Sequence, residues 1–460
     1  MERGLRGEVK YMKNLSNKNI ALLGLGLENQ ALLDYLLRQK VKSNFTICDK
    51  RSISALSELH NKYKKYKNIF WRLEADYNTD LHQFDYLFRA PGWPLHCPGI
   101  MNAKKLNKKI IVSSPMNFFF AHCPSKNIIG VTGTKGKGTT SSLIFKILHN
   151  AGKKVYLGGN IGIAPINFLS KIKPGDFVVL ELSSFQLEDL IYSPKISVIT
   201  NIYKEHLSPA DPNNPNYHKT YNSYMTAKLN IGAKQKTNDY LFLNEKSKKV
   251  LDAKKFNLGN GRKIYFTESD LTSRLVGNYN KENIAAAVAV AQTLKIKNSI
   301  IAKAVKNFIG LEHRLEFVAE INGVKYFDNS FATTPESSAM DLDSFKNDII
   351  LLAGGADKGA GFKAFAKKIK SRVKFLILFS GDGTKRLQVE IEAVDFPKDK
   401  IRVVNNMADA VKIAFGKSKN GDTVLLSTGC ASFGLFKNYK ERGNLFKKYV
   451  KELDSRSGRE

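Results

Sequence analysis

Short apolar runs, each closed by glycine or a polar residue, alternate along this chain with stretches of helical spacing. The run Ile20 to Leu23 reads as a buried strand. Gly24 and Gly26 follow, and then Leu32, Leu33, Leu36 and Leu37 fall on one helical face. A second run, NFTICD, ends at Asp49, so the opening is a β-α-β unit. A new segment starts near residue 112. There NIIGVTG reads as a strand, and TTSSLIFKILHNAG as a helix closed by Gly152. KKVYLGGNIG, DFVVLELSSFQLE and ISVITNI add strands with polar C-terminal ends, where open α/β sheets hold their ligands. A third segment starts near Gly310. DIILLAGGADKG, KFLILFSGDG, IRVVN and TVLLSTGCASF alternate there with helical stretches such as NMADAVKIAF, again a doubly wound pattern. No short internal repeat or linker is visible, and the tail SRSGRE is expected to be loose.

Length and composition narrow the class. At roughly 150 residues per domain, 460 residues suggest about three domains, and 43% hydrophobic content supplies ordinary cores. No stretch approaches the ~18–20 consecutive apolar residues of a membrane span. The basic start, MERGLRGEVKYMKNLSNKNI, has no apolar run and does not read as a secretory signal, whether translation begins at Met1 or Met12. Cys48, Cys97, Cys123 and Cys430 are far apart with no CxxC pair, which fits reduced cytosolic thiols better than a disulfide frame or zinc site. The formal charge of +31 suits a nucleic-acid or membrane-surface partner or an anionic substrate, but also a general lysine bias. KYKKYK, KKLNKK, KSKK and KKIKSRVK are scattered over the whole chain and no nucleic-acid motif accompanies them, which favours the bias.

The candidate chemistry centres on GVTGTKGKGTTSSLI. The strict P-loop needs a glycine where Val131 stands, so that pattern fails. Gly133, Thr134, Lys135, Gly136, Lys137, Gly138, Thr139 and Thr140 nevertheless lie between a strand and a helix. Glycines let backbone N–H groups turn inward, the helix N-terminus favours anions, and Lys137 can neutralise phosphate charge. Thr139 or Thr140 offers a hydroxyl to Mg²⁺, although Gly138 separates them from the lysine. The plainer alternative is a glycine-rich turn without a ligand.

Downstream, Glu181 closes the strand DFVVLEL, either facing a metal–nucleotide or as a buried acid paired with a lysine. His206, in NIYKEHLSP, is a metal-site candidate or a structural histidine. Lys228, in YMTAKLNI, reads by itself as a solvated helical lysine. The loop Gly24-Leu25-Gly26-Leu27-Glu28-Asn29 lacks the third glycine of the dinucleotide fingerprint. It is a tight turn or a diphosphate or nucleoside site, with Asp49 near a ribose or base.

Taken together, GTKGKGTT, GGNIG, ELSSFQLE, EHL, AKLNI, GNYNKENIAAA, GLEHRLE, DNSFATTP, GGADKG and SFGLFKNYKERG resemble the Mur ligase superfamily, in its order and over nearly the whole chain. The resemblance implies an α/β protein of three domains: a Rossmann-like N-terminal domain (1–112) for the UDP-substrate, a central P-loop-type ATPase domain with a mostly parallel sheet (113–310), and a C-terminal Rossmann-like domain (311–460) that closes over ATP and brings the amino acid. The activity it implies is ATP-driven amide formation through an acyl phosphate, adding D-glutamate to UDP-N-acetylmuramoyl-L-alanine in peptidoglycan precursor synthesis. It further implies a cytoplasmic monomer with no nucleic-acid partner and no membrane insertion.

By the same resemblance, Leu27, Glu28, Asp49, Arg51 and Gly92 would meet the UDP moiety, and Asn160, Ser183, Gln186 and His206 the muramoyl substrate. Lys137, Glu181, His206 and Lys228 would be catalytic. Thr139, Glu181, His206 and Lys228, the last as a carbamate, would hold a pair of Mg²⁺ ions. Carbamate formation needs a neutral amine, and from an ordinary lysine pKa of ~10.4 neutralisation at pH 7 costs roughly 4–5 kcal/mol. Asn280, Asn283 and Arg314 would reach ATP, and Asp328 or Asn329 its ribose. Thr333, Lys358, Ser432, Phe433 and Tyr439 would form the amino-acid pocket.

Five positions depart from the usual pattern: Asn29 for glycine, Asp328-Asn329 for Asn-Asp, Phe331 for a lysine of some members, and Gly434 for aspartate. Addition of another amino acid such as L-glutamate, folate polyglutamylation, a nucleic-acid-dependent NTPase and a dinucleotide-dependent oxidoreductase are the alternatives weighed. The UDP-type first segment speaks against folate.

Overall fold

The computed structural model describes residues 15–203, 207, 216–248, 251, 256–357 and 359–457, with side chains to 453. Met12, His206 and Lys358 lie outside the described residues. The chain divides into two compact units, Met1–Ser269 with Glu282–Ala304, and Asp270–Lys281 with Val305–Glu460.

The first unit carries two sheets. In the N-terminal sheet, β1 (Asn19–Leu23), β2 (Asn44–Asp49), β3 (Ile69–Leu73), β4 (Tyr86–Arg89) and β5 (Ile111–Ser113) lie in the order β3-β2-β1-β4-β5. Every pair is parallel. Strands β1, β2 and β4 are buried along nearly their whole length, which explains why they read as unbroken apolar runs. The strand order reverses at β1, so the Gly24 loop emerges at the switch point where such sheets bind ligands.

The central sheet has β6 (Asn127–Thr132), β7 (Val155–Gly159), β8 (Phe177–Glu181), β9 (Ile196–Ile199), β10 (Tyr240–Asn244) and β11 (Arg262–Phe266), in the order β11-β10-β9-β6-β8-β7. All its pairs are parallel. Strand β6 is flanked by β8 and β9, so the phosphate loop leaves this sheet at its own switch point.

The second unit holds the C-terminal sheet: β12 (Glu316–Ile321), β13 (Val324–Asp328), β14 (Ile349–Gly354), β15 (Val373–Phe379), β16 (Ile401–Val404) and β17 (Thr423–Leu426). Its order is β12-β13-β17-β14-β15-β16, with only the β12–β13 pair antiparallel. Both faces are covered. Leu351, Leu376, Leu378 and Leu425 pack on one side, and Ile350, Leu352, Ile377, Val424 and Leu426 on the other. That is the alternation a strand imposes on successive side chains. The α/β, mostly parallel architecture expected from the sequence is thus observed.

The four cysteines are all free thiols. Among the described residues no helix is long and apolar enough to cross a membrane. The tail differs from its expectation: the last helix, Tyr439–Ser457, runs into the stretch expected to be loose.

Candidate active site

The phosphate loop is shaped by two glycines with left-handed backbone. Gly133 has φ 146° and Gly136, the N-cap of helix Lys137–Asn150, has φ 81°. A Cβ at Gly133 would collide with Thr200 Oγ1, and one at Gly136 with the Asn283 side chain. The loop is pinned from β9: Thr134 N donates to Asn201 O at 2.9 Å, Lys135 N to Asn201 Oδ1 at 2.8 Å, and Thr200 Oγ1 to Lys135 O at 2.6 Å. Thr140 is buried, its hydroxyl donating to Asn283 O at 3.4 Å, whereas Thr139 is half-buried.

Lys137 and Lys228 meet at this loop. Lys137 Nζ donates to Gly133 O and Thr134 O, both at 3.0 Å. Lys228 is not the solvated lysine its sequence context suggests. It is 1% exposed, donates from Nζ to Gly133 O at 2.6 Å, and lies 4.7 Å from the Tyr224 ring centroid. Its helix, Tyr221–Leu229, is fixed at its start by a capping box between Thr220 and Ser223. Tyr224 Oη in turn sits 2.8 Å from Thr134 Oγ1.

Glu181 ends β8 opposite Val131 of β6, one strand spacing from the loop. It is buried, and its Oε1 accepts from Asn160 Nδ2 at 2.9 Å. Its Oε2 is buried with no partner among the described residues. A buried carboxylate oxygen left unsatisfied is costly. Oxygen donors of this kind beside a phosphate loop are what Mg²⁺ takes, so the residues present fit the ion.

At the N-terminal sheet, Asp49 closes the Gly24 loop. Its carboxylate accepts from Leu25 N at 2.8 Å and from Arg51 Nε at 2.9 Å and Nη2 at 2.8 Å. Burial pushes this carboxyl up, but the Arg51 and Leu25 donors outweigh it and hold it below the ordinary value. Asn29 fills the place of the missing glycine. It is fully buried, and its amide is shared among Leu23 O, Gly24 O and Phe88 O at 3.2, 2.8 and 3.0 Å. Leu27 is exposed, while Gly92 lies in the turn closed by Trp93 N donating to Ala90 O at 3.0 Å.

Of the residues expected at the muramoyl part, Ser183 and Gln186 are linked to each other and to Glu28. Ser183 and Gln186 make a capping box at the start of the short helix Ser184–Leu187. Gln186 Nε2 donates to Glu28 Oε1, while Glu28 Oε2 is buried without a partner among the described residues. Burial raises the Glu28 carboxyl to about 7; Asp189 adds to the rise, while Gln186 and Arg89 oppose it. Sequence reading missed Arg89, which ends β4 and is 1% exposed. It pairs with Asp189 at 3.1 Å and donates to Phe185 O at 2.9 Å and Trp93 O at 2.8 Å. A charged residue closing the apolar strand DYLFR was the available signal. His218 was missed too; it is buried, stacks on Phe185 at 4.8 Å, and has Nε2 2.9 Å from Ser184 Oγ.

In the second unit, three loops meet at the strand ends. Ala356 and Ala431 form an antiparallel bridge, and Gly429 N donates to Ala332 O at 3.2 Å. Thr333, Ser432 and Phe433 lie on these loops, and Tyr439 starts the last helix. Asn280 donates to Val276 O at 2.7 Å. Asp328 and Asn329, expected near a ribose, are engaged within the protein. Asp328 Oδ2 is 2.7 Å from His313 Nδ1 and its Oδ1 accepts from Ser330 N at 2.8 Å. Asn329 accepts from Leu315 N at 3.3 Å and donates to Ser427 Oγ at 3.2 Å. His313, Glu316 and Asp328 are spaced like metal ligands. However, Glu316 accepts from His313 N at 2.8 Å and from Lys447 Nζ at 3.2 Å, so the cluster reads as a hydrogen-bonded clamp.

Two family models match the chain: the Mur ligase middle domain over residues 131–270 and the Mur ligase glutamate ligase domain over 313–430. The chain is 35% identical to a UDP-N-acetylmuramoylalanine–D-glutamate ligase of Acetivibrio thermocellus, covering 97% of this chain and 98% of that protein. It is likewise 35% identical to the ligase of that name in Clostridium tetani, covering 96% and 99%. Among solved structures, UDP-N-acetylmuramate-alanine ligase from Thermotoga maritima superposes with a TM-score of 0.54 at 15% identity, covering 95% of this chain and 100% of that one. A pseudomurein peptide ligase from Methanothermus fervidus superposes at 0.52 and 18% identity, covering 96% and 100%. At these identities the two structures bear on the fold alone.

Proposed function

The chain belongs to the Mur ligase family, and from that premise we propose that it uses ATP to join D-glutamate to UDP-N-acetylmuramoyl-L-alanine in peptidoglycan precursor synthesis. It is an ATP-dependent amide-bond-forming ligase. The reading is carried by one observation: a buried carboxylate oxygen of Glu181 without a partner among the described residues, one strand from a phosphate loop that gathers Lys137 and Lys228.

In this reaction the substrate carboxylate attacks the γ-phosphorus of ATP and ADP leaves. The amine of D-glutamate then attacks the acyl phosphate; the C–N bond forms, the nitrogen loses a proton and phosphate departs. Lys137 and the N-terminus of helix Lys137–Asn150 meet the charge that moves through both steps. Mg²⁺, when bound, reduces the repulsion between triphosphate and carboxylate. Thr139, Glu181, His206 and Lys228 as a carbamate would hold it. Burial of Lys228 against a loop carbonyl and an aromatic face supports that role over a solvated one.

Residues 1–112 would bind the UDP-substrate through Leu27, Glu28, Asp49, Arg51 and Gly92. Residues 113–310 would bind ATP, with Asn160, Ser183 and Gln186 on the muramoyl part. Residues 311–460 would supply Arg314 to the triphosphate, and Thr333, Lys358, Ser432, Phe433 and Tyr439 to the amino acid. Asn280 and Asn283 would lie by the nucleotide. Both nucleotide substrates belong to cytoplasmic pools, so the reaction belongs there, and one chain supplies every proposed contact, as a monomer would.

The test is phosphate release with a panel of amino acids. Release should require UDP-N-acetylmuramoyl-L-alanine and be fastest with D-glutamate. Equal turnover with L-glutamate would overturn the specificity, and turnover without the UDP-substrate would overturn the ligase reading.

A further inference from the structure

Arg314 sits between two residues in the left-handed region, His313 at φ 62° and Leu315 at φ 45°. Non-glycine residues rarely adopt that backbone, and it persists where neighbours over-determine it, often at functional sites. The loop 328–331 supplies those neighbours one by one. Asp328 Oδ2 holds His313 Nδ1 at 2.7 Å, and Asn329 Oδ1 holds Leu315 N at 3.3 Å. Phe331 N donates to His313 O at 3.1 Å. The Phe331 ring then takes the remaining residue, with the Arg314 guanidinium carbon 3.7 Å from its centroid.

The ring is itself braced. Tyr439 meets Phe331 edge-on at 5.2 Å and 90°, and meets His313 edge-on at 5.9 Å. Phe331 is 40% exposed, so neither burial nor core packing accounts for an aromatic there. A guanidinium flat on an aromatic face is attracted to it, and the stacking fixes the plane in which its N–H groups lie. A lysine at this position would instead repel Arg314.

We propose that Phe331 is the positioning residue of Arg314, holding its guanidinium in the orientation that receives the ATP triphosphate. The proposal rests on the reading of Arg314 as a triphosphate contact. It also gives Asp328 and Asn329 a function in this chain: they set the backbone from which Arg314 projects.

The experiment measures calorimetric binding of a non-hydrolysable ATP analogue, together with ATP KM and kcat, for Phe331→Leu, Phe331→Trp, Phe331→Lys and Arg314→Ala. Phe331→Leu should weaken analogue binding and raise ATP KM by about three- to tenfold, with kcat moving less. Phe331→Trp should stay near wild type, because it keeps the aromatic face, and Phe331→Lys should be weaker than Phe331→Leu. Wild-type binding by Phe331→Leu, alongside weak binding by Arg314→Ala, would overturn the positioning role while leaving the arginine assignment intact. Wild-type binding by Arg314→Ala would remove that assignment, and the proposal with it.

Discussion

Lys137 and Lys228 donate to the same acceptor, the carbonyl oxygen of Gly133, at 3.0 and 2.6 Å. One lysine opens the helix after the phosphate loop and the other ends a separate helix, so the loop carbonyl brings two cations together. Converting Lys228 to a carbamate would exchange that like-charge contact for an opposite-charge one. Lys228→Ala should therefore lose at least about 100-fold in phosphate release, and a small carboxylate such as acetate should restore part of it. Rescue would place a carboxylate-like group at Lys228. Wild-type turnover by the variant would refute the carbamate.

Much of this site was legible in the sequence. Glycines and a lysine between an apolar run and a helix announce a phosphate loop because few other uses need all of them. What stayed hidden depended on tertiary neighbours. Lys228 looks solvated in YMTAKLNI because its helix shows little amphipathic pattern, and it is tertiary neighbours such as Tyr224 and the Gly133 carbonyl that bury it. Asn29 looked like a defect in a glycine motif, yet it ties β1 to β4 through three carbonyls.

That role of Asn29 gives a stability prediction. Asn29→Gly restores the usual glycine but removes a buried donor shared by three carbonyls, of which Leu23 O keeps its bond from Ala90 N. It should cost about 2–3 kcal/mol and lower the urea midpoint of the first unit. A midpoint at or above wild type would show that the amide is dispensable.

Arg89 is a second structural test. It is fully buried against Asp189 and donates to the backbone at Phe185 and Trp93. Arg89→Ala leaves the half-buried Asp189 carboxylate without its cation and should destabilise by about 3 kcal/mol. The same change loosens the Ser183–Gln186 turn, so the KM for the UDP-substrate should rise as well. Chemical unfolding and steady-state kinetics read the two effects separately.

Glu28 and Asp49 predict opposite pH dependences. Glu28 is raised from 4.5 to about 7, so the folded state binds its proton more tightly than the unfolded chain. Its contribution is full below about pH 4.5 and is lost as pH rises through about 7, by at most ~3 kcal/mol. Glu28→Gln should flatten stability over that window. Asp49 is held below its ordinary value, so its stabilisation is present above that value and is lost as pH falls through the folded one. Asp49→Asn should flatten only the acid limb. Urea midpoints across pH for both variants check the signs.

Gly136 and Gly152 separate backbone strain from site geometry. Both are left-handed, at φ 81° and 73°. An alanine at either pays the strain of that conformation, about 1 kcal/mol. Their surroundings differ. A Cβ at Gly152 meets nothing within 4 Å, whereas one at Gly136 collides with the buried Asn283 side chain. The backbone carbonyl of Asn283 also accepts from Thr140 Oγ1 at 3.4 Å, so a shift of the whole residue reaches the first turn of the phosphate helix. Gly152→Ala should therefore lower the urea midpoint slightly and leave binding of an ATP analogue unchanged. Gly136→Ala should weaken that binding by more than about tenfold, because the clash falls where the helix N-terminus presents its N–H groups. Equal effects of the two substitutions on nucleotide affinity would mean that strain alone governs the loop and that the Asn283 contact contributes nothing.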